Sequence, residues 1–139
     1  SKANKNTRVC FIANPNNPTG TYLTISEIKK LREKLPPSCL LVIDSAYSEY
    51  VTQADYSDSI SYAKKRKDII VTHTFSKIFG LSSLRLGWAY CPESIAKVLE
   101  KTSNSLILYT AASLSQNQQN GLRSLIYQPF HQDFHYLEA

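Results

Sequence analysis

Cys39 to Ile43, an unbroken run of apolar residues, constrains the fold more than any other stretch of the chain. A strand with apolar side chains at every position offers no face to water, so it belongs in a parallel sheet covered on both sides. A well-bounded helix precedes it. Thr24 as N-cap and Glu27 at the third helical position form a capping box, and Leu23 and Ile28 are spaced for a hydrophobic staple. Ile28, Leu31 and Leu35 recur at helical spacing until Pro36-Pro37 ends the pattern. Residues 8–13, Arg-Val-Cys-Phe-Ile-Ala, read as a short buried strand ahead of this helix, which is then a crossover between strands.

Downstream, a polar stretch over residues 51–67 reads as a loop and then a short helix around Ile60 to Lys65. Ile69 to Thr74 is a third strand, in which His73 reads as a structural residue. Leu86 to Cys91 is a fourth. It follows the third too closely for a crossover helix, so it is expected to run antiparallel. Pro92 opens a helix whose apolar face is Ile95, Val98 and Leu99. Asn104 to Thr110 reads as a connector. Ala111 to Tyr127 reads as mostly helical, with Leu114, Leu122, Leu125 and Ile126 on one side and Gly121 as a weak point. The fold class expected is α/β, a mixed but mostly parallel sheet with helices on both faces. A chain of 139 residues forms one domain with a real core, hardly two.

Composition narrows the function classes. The net charge of +5 is spread along the chain apart from Lys64-Lys-Arg-Lys67, which reads as a solvated helix end. No aromatic stacking platform accompanies that run, so a nucleic-acid partner is not expected. No apolar run is long enough to span a bilayer. The three cysteines, Cys10, Cys39 and Cys91, form neither a disulfide framework nor a metal-ligand spacing, which points to a reducing cytoplasm and no metal site.

The chemistry-bearing residues stand where strands end. The first strand runs into Asn14-Pro-Asn-Asn-Pro-Thr-Gly20, a tight loop in which either Asn-Pro bond is a candidate for cis and so for an unusual direction of the Asn17 side chain. The second ends in Asp44-Ser-Ala-Tyr-Ser-Glu-Tyr50, and an aspartate at that tip lies where open α/β sheets bind ligands. Spacing assigns nothing to Glu49 and Tyr50. The third strand leads into Thr74-Phe-Ser-Lys-Ile-Phe-Gly-Leu-Ser-Ser-Leu-Arg-Leu-Gly87. There Lys77 is placed as an imine-forming amine, and nearby hydroxyls with Arg85 are suited to a phosphate. Together they point to a carbonyl cofactor with a phosphate tail.

These three motifs, in this order and spacing, resemble those of the class I/II aminotransferases, the fold-type-I enzymes that use pyridoxal 5'-phosphate (PLP). The wording from Thr74 to Trp88 is most similar to histidinol-phosphate aminotransferases. The resemblance implies that Lys77 is the imine-forming lysine and the general acid/base at the substrate's Cα. It implies that Asp44 faces the cofactor's pyridine nitrogen, that Asn17 and Tyr47 donate to its phenolic oxygen, and that Thr74, Ser76 and Arg85 hold its phosphate. It further implies amino-acid and 2-oxo-acid substrates and a homodimer for the intact protein. This chain departs from the family pattern at Ser45, where many relatives have glutamate, and at Leu108-Tyr-Thr110. The resemblance also makes residues 1–139 the central part of a large, PLP-binding domain, without the N-terminal segment and the C-terminal small domain that complete the site. A non-catalytic remnant, or a lyase or decarboxylase on the same scaffold, is the alternative expectation.

Overall fold

In the computed structural model, residues 2–102 and 108–110 are described, and they build a single sheet with helices against it. In chain order the elements are β1 (Val9–Ala13), α1 (Ile25–Lys34), β2 (Leu40–Asp44), a 3-10 turn (Ser48–Tyr50), α2 (Ile60–Ala63), β3 (Ile69–Thr74), a second 3-10 turn (Ser82–Leu84), β4 (Gly87–Cys91), α3 (Glu93–Thr102) and β5 (Leu108–Thr110). The sheet order is β1-β2-β3-β4-β5. β1, β2 and β3 are parallel, with Ala13 opposite Asp44 and Asp44 opposite Thr72. β4 runs antiparallel to β3, pairing Thr74 with Gly87, as its short connection requires. β5 lies parallel to β4. The expected mixed, mostly parallel α/β sheet is therefore observed.

Two clusters cover the two faces. Ile28 of α1 and Ala63 of α2 pack with Leu41, Ile43, Ile69, Val71 and Tyr90 on one side. Ala96 of α3 packs with Val42, Ile70, Ala89 and Cys91 on the other. β2 and β3 are buried on both faces, which is why their sequences are continuously apolar. The capping box of α1 forms as expected: the Glu27 N–H donates to Thr24 Oγ1, and the Glu27 carboxylate accepts from the Thr24 N–H at 2.8 Å.

Several local readings need correction. β1 is an outer strand covered on one face only: Cys10 and Ile12 pack against the cluster of α1 and α2, while Phe11, on the face where α3 covers only its neighbours, is 74% exposed. On α3, Val98 faces solvent and Ala96 is the residue pressed to the sheet, flanked by Ile95 and Leu99. α2 stops at Ala63, short of Lys65. Residues 108–110, expected within a connector, pair with β4 as β5. The helix expected over residues 111–127 lies outside the described residues.

Charge also enters the packing. Arg32, on the inner side of α1, is buried and reaches Asp68 at the start of β3, with Nε to Oδ2 at 2.8 Å. Its other nitrogens donate to the carbonyls of Leu35, Pro36 and Pro37, each at 3.3 Å. One guanidinium thus closes the C-terminal end of α1 and ties it to the sheet. Arg66, from the basic run, grips the same carboxylate from the solvent side at 2.6 Å.

Hydrogen bonds from Arg66, and next those and the charge of Arg32, hold the Asp68 carboxyl below its ordinary 3.8, against an opposing push from burial. A depressed folded value stabilises fully above the unfolded pKa and loses that contribution as pH falls through the folded one. Asp68→Ala, which leaves Arg32 buried without its partner, is expected to cost about 3 kcal/mol at neutral pH by urea denaturation. The gap between variant and wild type should close as the pH drops below 3.8. A gap that does not change with pH contradicts this account.

Candidate active site

Parallel pairing brings the carboxyl ends of β1, β2 and β3 to one edge of the sheet, and the three motif loops leave from that edge. The first loop is pinned at its root. Asn14 is fully buried; its side-chain amide accepts from the Leu23 N–H at 2.7 Å and donates to the Leu23 carbonyl at 3.1 Å. Its own N–H donates to the Asp44 carbonyl at 2.8 Å. An asparagine satisfies both the donor and the acceptor of a neighbouring backbone in this way, as no apolar residue can. Asn14–Pro15 and Asn17–Pro18 are both cis, Gly20 takes a positive φ of 69°, and Asn17 is exposed.

The second loop leaves β2 at Asp44. The Asp44 Oδ1 accepts from the Ala46 N–H at 3.2 Å and from the Thr72 hydroxyl at 3.3 Å, which orients the carboxylate outward from the strand tip. Ser45 is fully buried; its N–H donates to the Thr72 carbonyl and its hydroxyl to the Asp58 carbonyl. The hydroxyl thus anchors the loop that follows, giving Ser45 a structural use. Tyr47 follows at the head of the 3-10 turn, and the Asn17 Nδ2 donates to its hydroxyl at 2.9 Å.

The third loop is held at both ends. The Phe75 N–H donates to the Leu86 carbonyl and the Leu81 N–H to the Phe75 carbonyl. Within it, Lys77 Nζ stands 5.1 Å over the Tyr47 ring, a cation–π approach. Asn17, Asp44, Tyr47 and Lys77, with Ala13, Pro15 and Ala46, line one cavity of about 370 Å³. Thr74, Ser76 and Arg85 do not line it. Thr74 Oγ1 accepts from the Ser76 N–H at 3.0 Å, and the Arg85 guanidinium donates to the Ser82 carbonyl at 3.0 Å. Arg85 itself has a left-handed backbone, φ 50°, uncommon for a residue with a side chain. On the far side of the Asn17–Tyr47 wall lies a second cavity of about 350 Å³, bounded by Tyr22, Tyr50 and Gln53.

Tyr56 belongs to this scaffold although its position in a polar stretch gave no sign of it. Its hydroxyl donates to the Asn14 carbonyl at 2.9 Å, and its ring meets Tyr22 edge-on at 5.5 Å. Burial, opposed in part by the Ser45 hydroxyl, pushes the Tyr56 phenol up to about 12. A raised folded value stabilises below the unfolded pKa, near 10, and that stability is lost as pH rises toward 12. Alkaline difference spectroscopy should show one tyrosine ionising after the others, absent in Tyr56→Phe. Wild-type stability should fall over that alkaline range more steeply than that of Tyr56→Phe, and parallel curves count against the assignment.

Among the described residues no helix is long and apolar enough to cross a membrane, and no cluster of three or more His, Cys, Asp or Glu side chains is placed to hold a metal. The chain is 51% identical over 110 residues to histidinol-phosphate aminotransferase of Maricaulis maris, an alignment covering 79% of this chain and 30% of that protein. It therefore spans under a third of the length of that relative. Its fold superposes on histidinol-phosphate aminotransferase from Sinorhizobium meliloti, solved in complex with pyridoxal-5'-phosphate, with a TM-score of 0.64 at 30% identity over 70% of this chain and 26% of the other. L-threonine-O-3-phosphate decarboxylase from Porphyromonas gingivalis superposes with a TM-score of 0.61 at 28% identity, over 72% of this chain and 30% of the other. The family model for aminotransferases of class I and II matches residues 1–131, and the chain belongs to that family.

Proposed function

We propose that the cavity at the sheet edge holds PLP, and that the chain carries the cofactor centre of an aminotransferase. The intact enzyme moves an amino group between an amino compound, histidinol phosphate or glutamate, and an oxo compound. One observation carries the reading: Asn17, Asp44, Tyr47 and Lys77 line a single cavity, although they come from three separate loops. The donor set suits this cofactor. An amide N–H and a phenol 2.9 Å apart converge on a point fit for one anionic ring oxygen. An amine and a carboxylate border the same space, suited to a carbonyl and to a protonated ring nitrogen.

When bound, the cofactor supplies an electrophilic carbon for an amine and a ring that takes up an electron pair. The chain's own groups do the rest. Asp44, braced through Oδ1, holds a positive charge on the ring nitrogen facing it. Lys77 would take the proton from the substrate's Cα and return it. Asn17 and Tyr47 fix the tilt of the ring. Arg85 is assigned to the phosphate as a planar, bidentate partner, exchanging its present contact with the Ser82 carbonyl; Thr74 and Ser76 are assigned beside it.

Residues 1–139 are read as the central part of the large domain. The flanks of the full-length protein then complete the site, and two copies of it form a cytoplasmic homodimer. A remnant that binds the cofactor without turnover is a second reading. The likeness to a decarboxylase supports a third.

Incubation with PLP followed by borohydride and peptide mass spectrometry should find one adduct, on Lys77, absent in Lys77→Ala. No adduct in the wild-type chain at any PLP concentration sinks the cofactor assignment. Asp44→Ala should keep most of the adduct and lose Cα–H exchange of bound amino acid in deuterated water; equal losses in both contradict the role of Asp44. Turnover of histidinol phosphate with 2-oxoglutarate separates enzyme from remnant, and carbon dioxide release from L-threonine-O-3-phosphate favours the decarboxylase.

A further inference from the structure

His73 lies beneath the site, and the proposed reaction does not use its imidazole. It is buried on β3, in register opposite Trp88 of β4. Its ring lies flat on the indole, centroids 4.1 Å apart and planes within 4°. Gly87 permits that closeness: a Cβ there would stand 2.8 Å from the His73 carbonyl oxygen, so only a glycine lets β4 approach at this level. The stack fixes the rotation of the imidazole, which a bare ring torsion would leave broad.

The fixed ring aims Nδ1 at the turn above. Nδ1 stands 3.2 Å from Glu49 Oε1 and 3.3 Å from Ser48 Oγ, on the two residues that follow Tyr47. The Glu49 carboxylate can only accept, so Nδ1 carries the hydrogen. Nε2 is buried with no hydrogen-bond partner among the described residues.

We propose that His73 is a positioning residue for the Tyr47 phenol, holding the Ser48–Glu49 backbone so that Tyr47 meets Asn17 and Lys77. Trp88 is stacked on His73, His73 is hydrogen-bonded to the side chains of Ser48 and Glu49, and the backbone of the 3-10 turn carries that hold to the adjacent Tyr47, whose phenol receives the Asn17 amide at 2.9 Å. This rests on the proposed role of Tyr47 only for its catalytic consequence; the positioning is a property of the protein alone. The spacing of the motif loops does not reveal it, because Glu49 and His73 are 24 residues apart and neither faces the cavity.

The test uses the 139-residue chain with carbon-13-labelled tyrosine and no cofactor, with the Tyr47 signal assigned by its loss in Tyr47→Phe. His73→Phe keeps the stack on Trp88 and removes the Nδ1 donor. It is expected to move the Tyr47 ring signal while that of Tyr62, on α2, stays in place. His73→Asn, which returns a donor near the Nδ1 position, should restore the Tyr47 signal toward wild type. In parallel, His73→Phe should weaken PLP binding roughly tenfold, the size expected of a lost hydrogen bond to a charged group. Should His73→Phe fail to fold, the Ser48→Ala, Glu49→Ala double variant removes the same bonds from the other side and should move the same signal. An unmoved Tyr47 signal in a folded variant of either kind overturns the proposal. Absence of any PLP adduct in the wild-type chain defeats the cofactor reading alone, and the tyrosine signal still decides the positioning role.

Discussion

Parallel pairing of β1, β2 and β3 is the constraint on which the rest depends. Because Ala13, Asp44 and Thr72 stand in one row, the loops that follow them must start from neighbouring points. A slip of one residue would carry the Asp44 carboxylate into the buried position now held by Ile43. The continuous apolar runs of β2 and β3 do not by themselves forbid such a slip. The polar residues that end them do: Asp44 and Thr72 share a hydrogen bond, and Ser45 ties its N–H to Thr72. Register and site geometry are set by the same few side chains.

Much of this was written in local patterns. The capping box, the two prolines after α1 and the short gap between β3 and β4 are one-dimensional signals with immediate backbone meaning, and the corresponding elements stand where those signals put them. The exposure of Phe11 was not legible, because covering a strand depends on where helices land: Cys10 and Ile12 of β1 pack against the cluster of α1 and α2, whereas the cluster under α3 on the opposite face includes no β1 residue. Val98 was expected on the buried face of α3 with Ile95 and Leu99, yet it is exposed and Ala96 is the residue pressed to the sheet. β5 was hidden because three residues carry too little pattern to separate a strand from a connector.

The site shows the same division. Asn17, Asp44, Tyr47 and Lys77 were marked by strand-end position and by motif, and they line one cavity. Their supports were invisible at that level. Tyr56 meets Asn14 across 42 residues, and Arg32 meets Asp68 across 36. Such partners are chosen by the folded surface and leave no periodicity behind. Functional groups sit at predictable topological points, whereas the groups that aim them are scattered wherever the fold passes close by.

The outer strand has a physical consequence for handling the chain. Val9 and Phe11 present an apolar row on a strand whose outer edge pairs with no other strand among the described residues, the arrangement that invites a further strand from another molecule. A net charge of +5 opposes such encounters between like copies. That repulsion acts over a Debye length, which shrinks from roughly 10 Å in 0.1 M salt to about 3 Å at 1 M. The colloidal behaviour of the chain is therefore set by a short-range adhesive edge against a long-range, salt-sensitive charge, so concentrated salt removes the barrier and leaves the edge.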